Sequence, residues 1–223
     1  MKARKQQASF ITFEGGEGAG KSTQIKRVSA YLGELGIPHI VTREPGGTAL
    51  AEKIRDLLVK GKADAMDPTT EYLLFSAARR DHIEKVIKPA LAKGDWVLSD
   101  RFYDSSYVYQ GLSPKPERAL SLDFMNRVYQ EIAGDAFHPD LTFVFDIDPE
   151  TGLGRAGKRG KIDANSKDED RFESKGLEFH NRIRQGYLQV QKDNPGRCSL
   201  VDATKTPDQI FHHLRMVLEE SFL

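Results

Sequence analysis

The stretch that decides the fold is Phe10–Val28, FITFEGGEGAGKSTQIKRV. An apolar, β-rich segment runs into glycines and one alanine broken by a single acid, and Lys-Ser-Thr then opens an amphipathic segment. Gly15-Gly16-Glu17-Gly18-Ala19-Gly20-Lys21-Ser22 fits G-x-x-x-x-G-K-[ST], with the strand before it and the helix after it that this motif requires. Glycines let the backbone turn its N–H groups inward and leave no side chain in the way of a polyphosphate. The helix adds its positive N-terminal end. Lys21 offers a point charge to β and γ oxygens, Ser22 offers a hydroxyl to magnesium, and Thr23 completes the first turn. The spelling predicts a site for ATP with Mg2+.

Working outward, short β-rich apolar runs recur at Ser9–Phe13, His39–Thr42, Trp96–Ser99, Leu141–Ile147 and Leu200–Val201 with its flanks. Helical periodicity fills the intervals: Ile25, Val28, Leu32 and Leu35 share a face, as do Leu50, Ile54, Leu57 and Leu58, and Ile210, Leu214, Val217 and Leu218. Parallel crossovers need helices, so alternation predicts an α/β fold of three layers, the P-loop NTPase type, with five parallel strands covered on both faces. Gly36-Ile37-Pro38 is read as the stop of the first helix, Pro68 as a helix start, Lys93-Gly94-Asp95 as the close of a long Glu71–Ala92 helix, and Pro149-Glu150 as another start. Gly154–Asp170 has no large apolar residue except Ile162, and is either a solvated loop or a mobile lid. The expected organisation is a basic N-terminal extension at 1–8 and a single P-loop domain at 9–223, its lid at about 154–171.

The bulk numbers fit one domain. The chain has 223 residues, 39% of them hydrophobic, enough for a sizeable core. Its 33 basic and 33 acidic residues cancel, so no global pull towards nucleic acid or an anionic membrane is built in. No segment approaches the ~20 apolar residues that cross a bilayer. The first residues lack the apolar stretch of a signal peptide. The single cysteine, Cys198, rules out an internal disulfide and reads as a buried thiol in a reducing compartment. A cytoplasmic protein is expected.

Among P-loop proteins, a guanine-specific GTPase would carry Asn-Lys-x-Asp, whereas Asn165-Ser166-Lys167-Asp168 has the wrong order. A small phosphotransferase with a lid that excludes water suits the chain better. Thr42-Arg43-Glu44-Pro45-Gly46-Gly47-Thr48 and Asp100-Arg101 follow the second and third strands, where open α/β sheets place ligands. Asp100 suits a magnesium shell and Arg101 a phosphate clamp, although a lone Asp-Arg is more often a surface ion pair.

EGGEGAGKST, TREPGGT, LLFSAARRDH, SDRFYDSSYVYQG, the basic stretch before DRFE, and VDAT, in this order, resemble the bacterial thymidylate kinases over nearly the whole chain. The resemblance implies transfer of the γ-phosphoryl of ATP to dTMP. It implies that Phe75 stacks on thymine and that Arg79 donates to a thymine carbonyl; their four-residue spacing puts both on one helix face. It implies that Ser105, Ser106 and Gln110 lie by the base, Tyr109 by the sugar, Arg55 and Arg101 on phosphate, Glu44 and Pro45 along the acceptor, and Glu17 towards the acceptor's 3′-hydroxyl and the metal. With no cation in Gly16-Glu17-Gly18-Ala19, the catalytic charge is expected from the lid, where Arg159 matches best, Lys161 follows, and Arg155, Lys158 and Arg171 are further candidates. Asn-Ser-Lys-Asp-Glu before DRFE lengthens that lid beyond the family pattern. A homodimer is implied, through helices at 71–92 and 102–133. The competing readings are a P-loop kinase for another small acceptor and a non-catalytic ATP-binding module.

Overall fold

The computed structural model describes residues 8–60, 66–134, 137–160, 172 and 176–223, the side chains of 158–160 excepted. Five strands, β1 (Phe10–Gly15), β2 (His39–Arg43), β3 (Trp96–Asp100), β4 (Leu141–Asp146) and β5 (Cys198–Asp202), form one sheet in the order β2-β3-β1-β4-β5. Every pairing is parallel. β1 sits at the centre and is buried along its whole length. The five expected strands are all present, with ends that differ by a residue or two: β1 starts at Phe10 and runs on to Gly15, β2 and β3 each gain one residue, and β4 stops one residue short of Ile147.

Nine helices cover this sheet among the described residues: α1 (Lys21–Glu34), α2 (Ala49–Val59), α3 (Pro68–His82), α4 (Lys88–Lys93), α5 (Tyr103–Ser106), α6 (Leu122–Ala133), α7 (Pro149–Gly160), α8 (Leu177–Asp193) and α9 (Pro207–Phe222). Ile11 and Phe13 of β1 pack with Val28 and Leu32 of α1 and Leu214 and Leu218 of α9 on one face. Phe10, one residue out of phase, packs with Val97, Phe102, Ile83 and Tyr129 on the other. Each such fully buried apolar side chain stabilises the fold by roughly 1.5–3 kcal/mol relative to exposure. Asp67 caps α3 ahead of Pro68, Gly94 closes α4 in a left-handed conformation, and Thr206 with Gln209 forms a capping box on α9.

Several expectations need correction. Leu35 lies past the end of α1 and is 48% exposed, because the chain turns at Gly36 before that position reaches the core. In α2 the buried face is Ala51, Ile54 and Leu58, packed on Ala78 of α3, while Leu50 and Leu57 point outward. The long helix starts at Pro68 and passes through a π turn at Ile83–Ile87, and the 102–133 segment is likewise not one helix: α5 runs into a π turn at Tyr107–Leu112 and a separate α6 follows. The first seven residues of the expected lid, 154–160, are the second half of α7. The N-terminal extension up to residue 7 and the rest of the lid through 171 lie outside the described residues.

Candidate active site

The carboxyl ends of β1, β2 and β3 open into a cavity of about 280 Å3. Glu17 to Gly20 of the glycine loop line its floor, and the loop backbone takes positive φ at Gly15, Gly18 and Gly20. Gly18 has no alternative: at φ 69° a Cβ would lie 1.9 Å from the carbonyl oxygen of Gly152, so the loop and α7 touch backbone to backbone. Gly20 caps α1 with no side-chain partner, and no acid occupies the first turn, so the positive end of the helix lies at the cavity wall. Lys21 Nζ donates to the carbonyls of Gly15 at 3.0 Å and Gly16 at 2.9 Å. Ser22 Oγ donates to Asp100 Oδ2 at 3.1 Å, which brings the two expected metal ligands together across strands. Ala19 is buried under the loop, and Thr23 is exposed beside Ser22.

Arg101 follows β3 in a left-handed conformation, φ 69°, unusual for a residue with a Cβ. Its guanidinium donates to Glu17 Oε1 at 2.6 Å, to Tyr187 Oη at 2.8 Å and to Ser105 Oγ at 3.2 Å, and lies over the Tyr109 ring. Burial alone would raise the Glu17 carboxyl, but Arg101 and then Lys21 outweigh it and hold its pKa at about 2. The acid inside an anion cradle is therefore an ion-pair partner.

The far end of the cavity is aromatic. Phe75 of α3 and Phe172 stand 6.3 Å apart between ring centroids, and Tyr109 meets Phe172 edge-on at 5.6 Å. The π turn packs an extra residue into one helical turn, which puts both Tyr109 and Gln110 on the cavity wall. Gln110 Nε2 donates to the buried Glu71 at 2.7 Å, leaving Oε1 without a hydrogen bond. Arg79 is fully buried: Nε donates to Glu44 Oε2 at 2.7 Å, Nη2 to Ser106 Oγ at 2.9 Å, and Nη1 has no partner. The second Glu44 oxygen lies 3.0 Å from His82 Nδ1, and His82 Nε2 lies 2.6 Å from Thr42 Oγ1. Ser106 thus holds Arg79, and Ser105 holds Arg101. Arg55 donates to the carbonyl of Pro45 at 3.1 Å, beside the cis Glu44–Pro45 bond.

Arg155, a lid candidate, donates to the carbonyl of Ala203 at 3.0 Å and ties α7 to the turn after β5. Arg159 and Lys158 lie in α7 with side chains outside the described set, and Lys161 and Arg171 are outside it altogether. Sequence reasoning missed Glu14, Tyr187, His82 and Phe172. Glu14, next to last in β1, is fully buried, accepting from Phe102 N–H at 2.7 Å, Ser105 Oγ at 2.6 Å and Tyr187 Oη at 3.1 Å. Burial, then the charge of Asp104, pushes its pKa up to about 7 against the pull of Arg101. An acid in an otherwise apolar strand was the available signal.

A family model described as thymidylate kinase matches residues 13–213. The chain is 48% identical over 204 residues to a thymidylate kinase of Caulobacter vibrioides, covering 92% of each, and 47% identical over 197 residues to one of Magnetococcus marinus, covering 88% of this chain and 89% of that one. The crystal structure of a thymidylate kinase from Ehrlichia chaffeensis superposes with a TM-score of 0.72 at 32% identity, over 95% of this chain and 98% of the other.

Two outcomes follow from this geometry. Glu44→Ala leaves Arg79 buried without its carboxylate, so it is expected to lower unfolding stability by about 3–5 kcal/mol in a denaturant titration; a loss below 1 kcal/mol removes Glu44 as the anchor of Arg79. Because the folded state keeps the Glu14 proton that the unfolded chain releases near pH 4.5, this group lowers stability as pH rises from 4.5 to about 7. Melting curves across that window should show a shallower downward slope for Glu14→Gln than for the parent, and identical slopes contradict the assignment.

Proposed function

Because the chain belongs to the thymidylate kinase family, whose reaction moves the γ-phosphoryl group of ATP onto dTMP to give dTDP and ADP, we propose the division of labour among its side chains set out here. The observation that carries it is the pair of buried, unpartnered polar atoms, Arg79 Nη1 and Gln110 Oε1, on the wall of a cavity whose opposite end is the phosphate-binding loop. Thymine offers carbonyl acceptors and an N–H donor, which complement those two atoms, and its flat face suits Phe75. Tyr109 stands where the deoxyribose follows the base, and Glu17 faces its 3′-hydroxyl. Glu44 and Pro45 shape the wall along the acceptor, with Arg55 and Arg101 on its phosphate.

At the other end, the amides of Gly15 to Gly20 and Lys21 grip the β and γ phosphates of ATP, with Ser22 and Thr23 at the helix start. Ser22 Oγ and Asp100 Oδ2, two hard oxygen donors 3.1 Å apart on the cavity wall, fit a magnesium ion, which they would hold there. When bound, the ion would neutralise charge on the ATP phosphates. Arg101 and a lid cation, Arg159 or Lys161, stabilise charge spread over the equatorial oxygens, and exclusion of water by the lid keeps the γ-phosphoryl for the acceptor. No general base is assigned.

A homodimer belongs to the same reading. Leu73 on α3 and Leu50 and Leu57 on α2 expose apolar surface next to the helices expected to meet. Sedimentation at micromolar concentration should give twice the 25.0 kDa chain mass, and a monomer there rejects the dimer. No helix among the described residues is long and apolar enough to cross a membrane, and Cys198 is a buried free thiol, in keeping with a cytoplasmic enzyme.

An ADP-release assay over nucleoside monophosphates with ATP and Mg2+ should rank dTMP above dUMP and far above CMP and GMP. Arg101→Ala should lower kcat by about a hundredfold or more without loss of the fold, the scale of one transition-state charge contact. Another preferred acceptor would reject the base assignment, and near-normal turnover of the variant would reject the clamp.

A further inference from the structure

We propose that Glu14 is a positioning residue for phosphoryl transfer: from behind the phosphate-binding loop its buried carboxylate fixes both the backbone turn and the guanidinium of Arg101. The inference rests on the reading of Arg101 as the phosphate clamp and goes one layer deeper into the protein.

Strand alternation puts Glu14 on the face of β1 opposite Phe13, and no part of it is exposed. It cannot touch a substrate, so whatever it does is done through its neighbours. Oε1 accepts the N–H of Phe102 at 2.7 Å, the peptide that follows the left-handed Arg101. Such a backbone conformation is unfavourable for a residue with a Cβ and persists only where its surroundings over-determine it. Here they do: the N–H of Arg101 donates to the carbonyl of Phe13 at 3.0 Å, the carbonyl of Arg101 accepts from Ser99 Oγ at 2.8 Å, and Glu14 holds the next N–H.

Oε2 governs the side chain. Ser105 Oγ and Tyr187 Oη both lie against it, at 2.6 Å and 3.1 Å, and 2.8 Å from each other. The same two hydroxyls accept from Arg101 Nη1. In this four-membered cluster the guanidinium only donates, and Glu14, once it loses its proton at about pH 7 and above, only accepts. Hydroxyl protons therefore run towards Glu14, and hydroxyl lone pairs are left facing Arg101. The carboxylate thus orients two hydroxyls into an acceptor fork for Nη1, while Glu17 takes Nη2. A carboxyl in so dry a place is costly to ionise, and a strand that needed only to fill the space would do better with an apolar side chain.

Glutamine at this position keeps the size and one acceptor but puts an N–H2 where the hydroxyl protons point, so the fork for Arg101 loses its polarity. With the full chain, ATP, dTMP and Mg2+, Glu14→Gln is expected to lower kcat by about tenfold to a hundredfold while the KM for ATP moves less than about twofold. In an Arg101→Ala background the same substitution should lower kcat by less than about twofold, because the group it acts through is gone. Tyr187→Phe, which removes one prong and leaves the carboxylate, should lower kcat by about threefold to tenfold and likewise add nothing to Arg101→Ala; it carries the test if Glu14→Gln does not fold. Equal losses in both backgrounds, or no loss in a folded Glu14→Gln, overturn the inference and leave the clamp standing. Near-normal turnover of Arg101→Ala alone overturns the clamp and the inference together.

Discussion

A charge taken out of water has to be paired, and much of this site is the working out of that constraint. Arg79 and Glu44 are both buried in the wall of the cavity, and each would be prohibitive alone. Together they form a 2.7 Å contact whose spare capacity goes to His82, Ser106 and Thr42, so that a single nitrogen of Arg79 is left over. Arg101 repeats the pattern with Glu17, Ser105, Tyr187 and, behind them, Glu14. The two clusters are held from different elements of the fold, β2 with α3 and β1 with α8, and they meet at the end of α5, where Ser105 and Ser106 are adjacent in sequence and serve one arginine each.

How much of this was legible beforehand follows from the range of the interactions. The phosphate-binding loop is local: strand, glycines, lysine and helix lie within nineteen residues, and every constraint on them is written there. The five strands were legible because burial on both faces requires nearly continuous apolar runs. Periodicity alone could not say that Leu50 and Leu57 face outward, since Ala51 supplies the small buried contact that lets α2 lie close to α3. Nor could it show the π turn at Tyr107–Leu112, which depends on packing of the turn between α8 and α6. Glu14, Tyr187 and Ser105 are separated by up to 173 positions, and only the folded chain makes them neighbours. Family resemblance supplied roles for Phe75, Arg79 and Arg101, yet it did not say what holds them in place.

The polar residues on the inner face of β1 form a layer of their own. Thr12 meets Thr142 at 2.8 Å between hydroxyls, Arg197 donates to Thr142 and forks onto the buried Asp104, and Asp104 in turn is among the charges that raise Glu14. This seam runs beneath the sheet's central strand on the side of α5 and α8, away from the all-apolar contact with α1 and α9. The fold therefore separates its tasks by face: one face of β1 is a conventional core that anchors the loop's helix, and the other is a hydrogen-bonded frame that fixes the angles of the arginine.

That frame bears on how binding energy is used. Within the protein the fork of Arg101 is satisfied: Glu17 takes one terminal nitrogen and the two hydroxyls take the other. If Arg101 is the clamp, as proposed, a phosphate arriving there gains only the difference between its own pairing and the one it displaces or shares, and this arginine then adds little to ground-state affinity. The gain grows as negative charge shifts onto the equatorial oxygens during transfer, because an arginine already aimed has no reorganisation left to make. On the proposed assignment, the acid in the loop thus has a catalytic rationale that a plain nucleotide-binding loop lacks: it keeps a strong cation ordered and partly compensated until the transition state needs it.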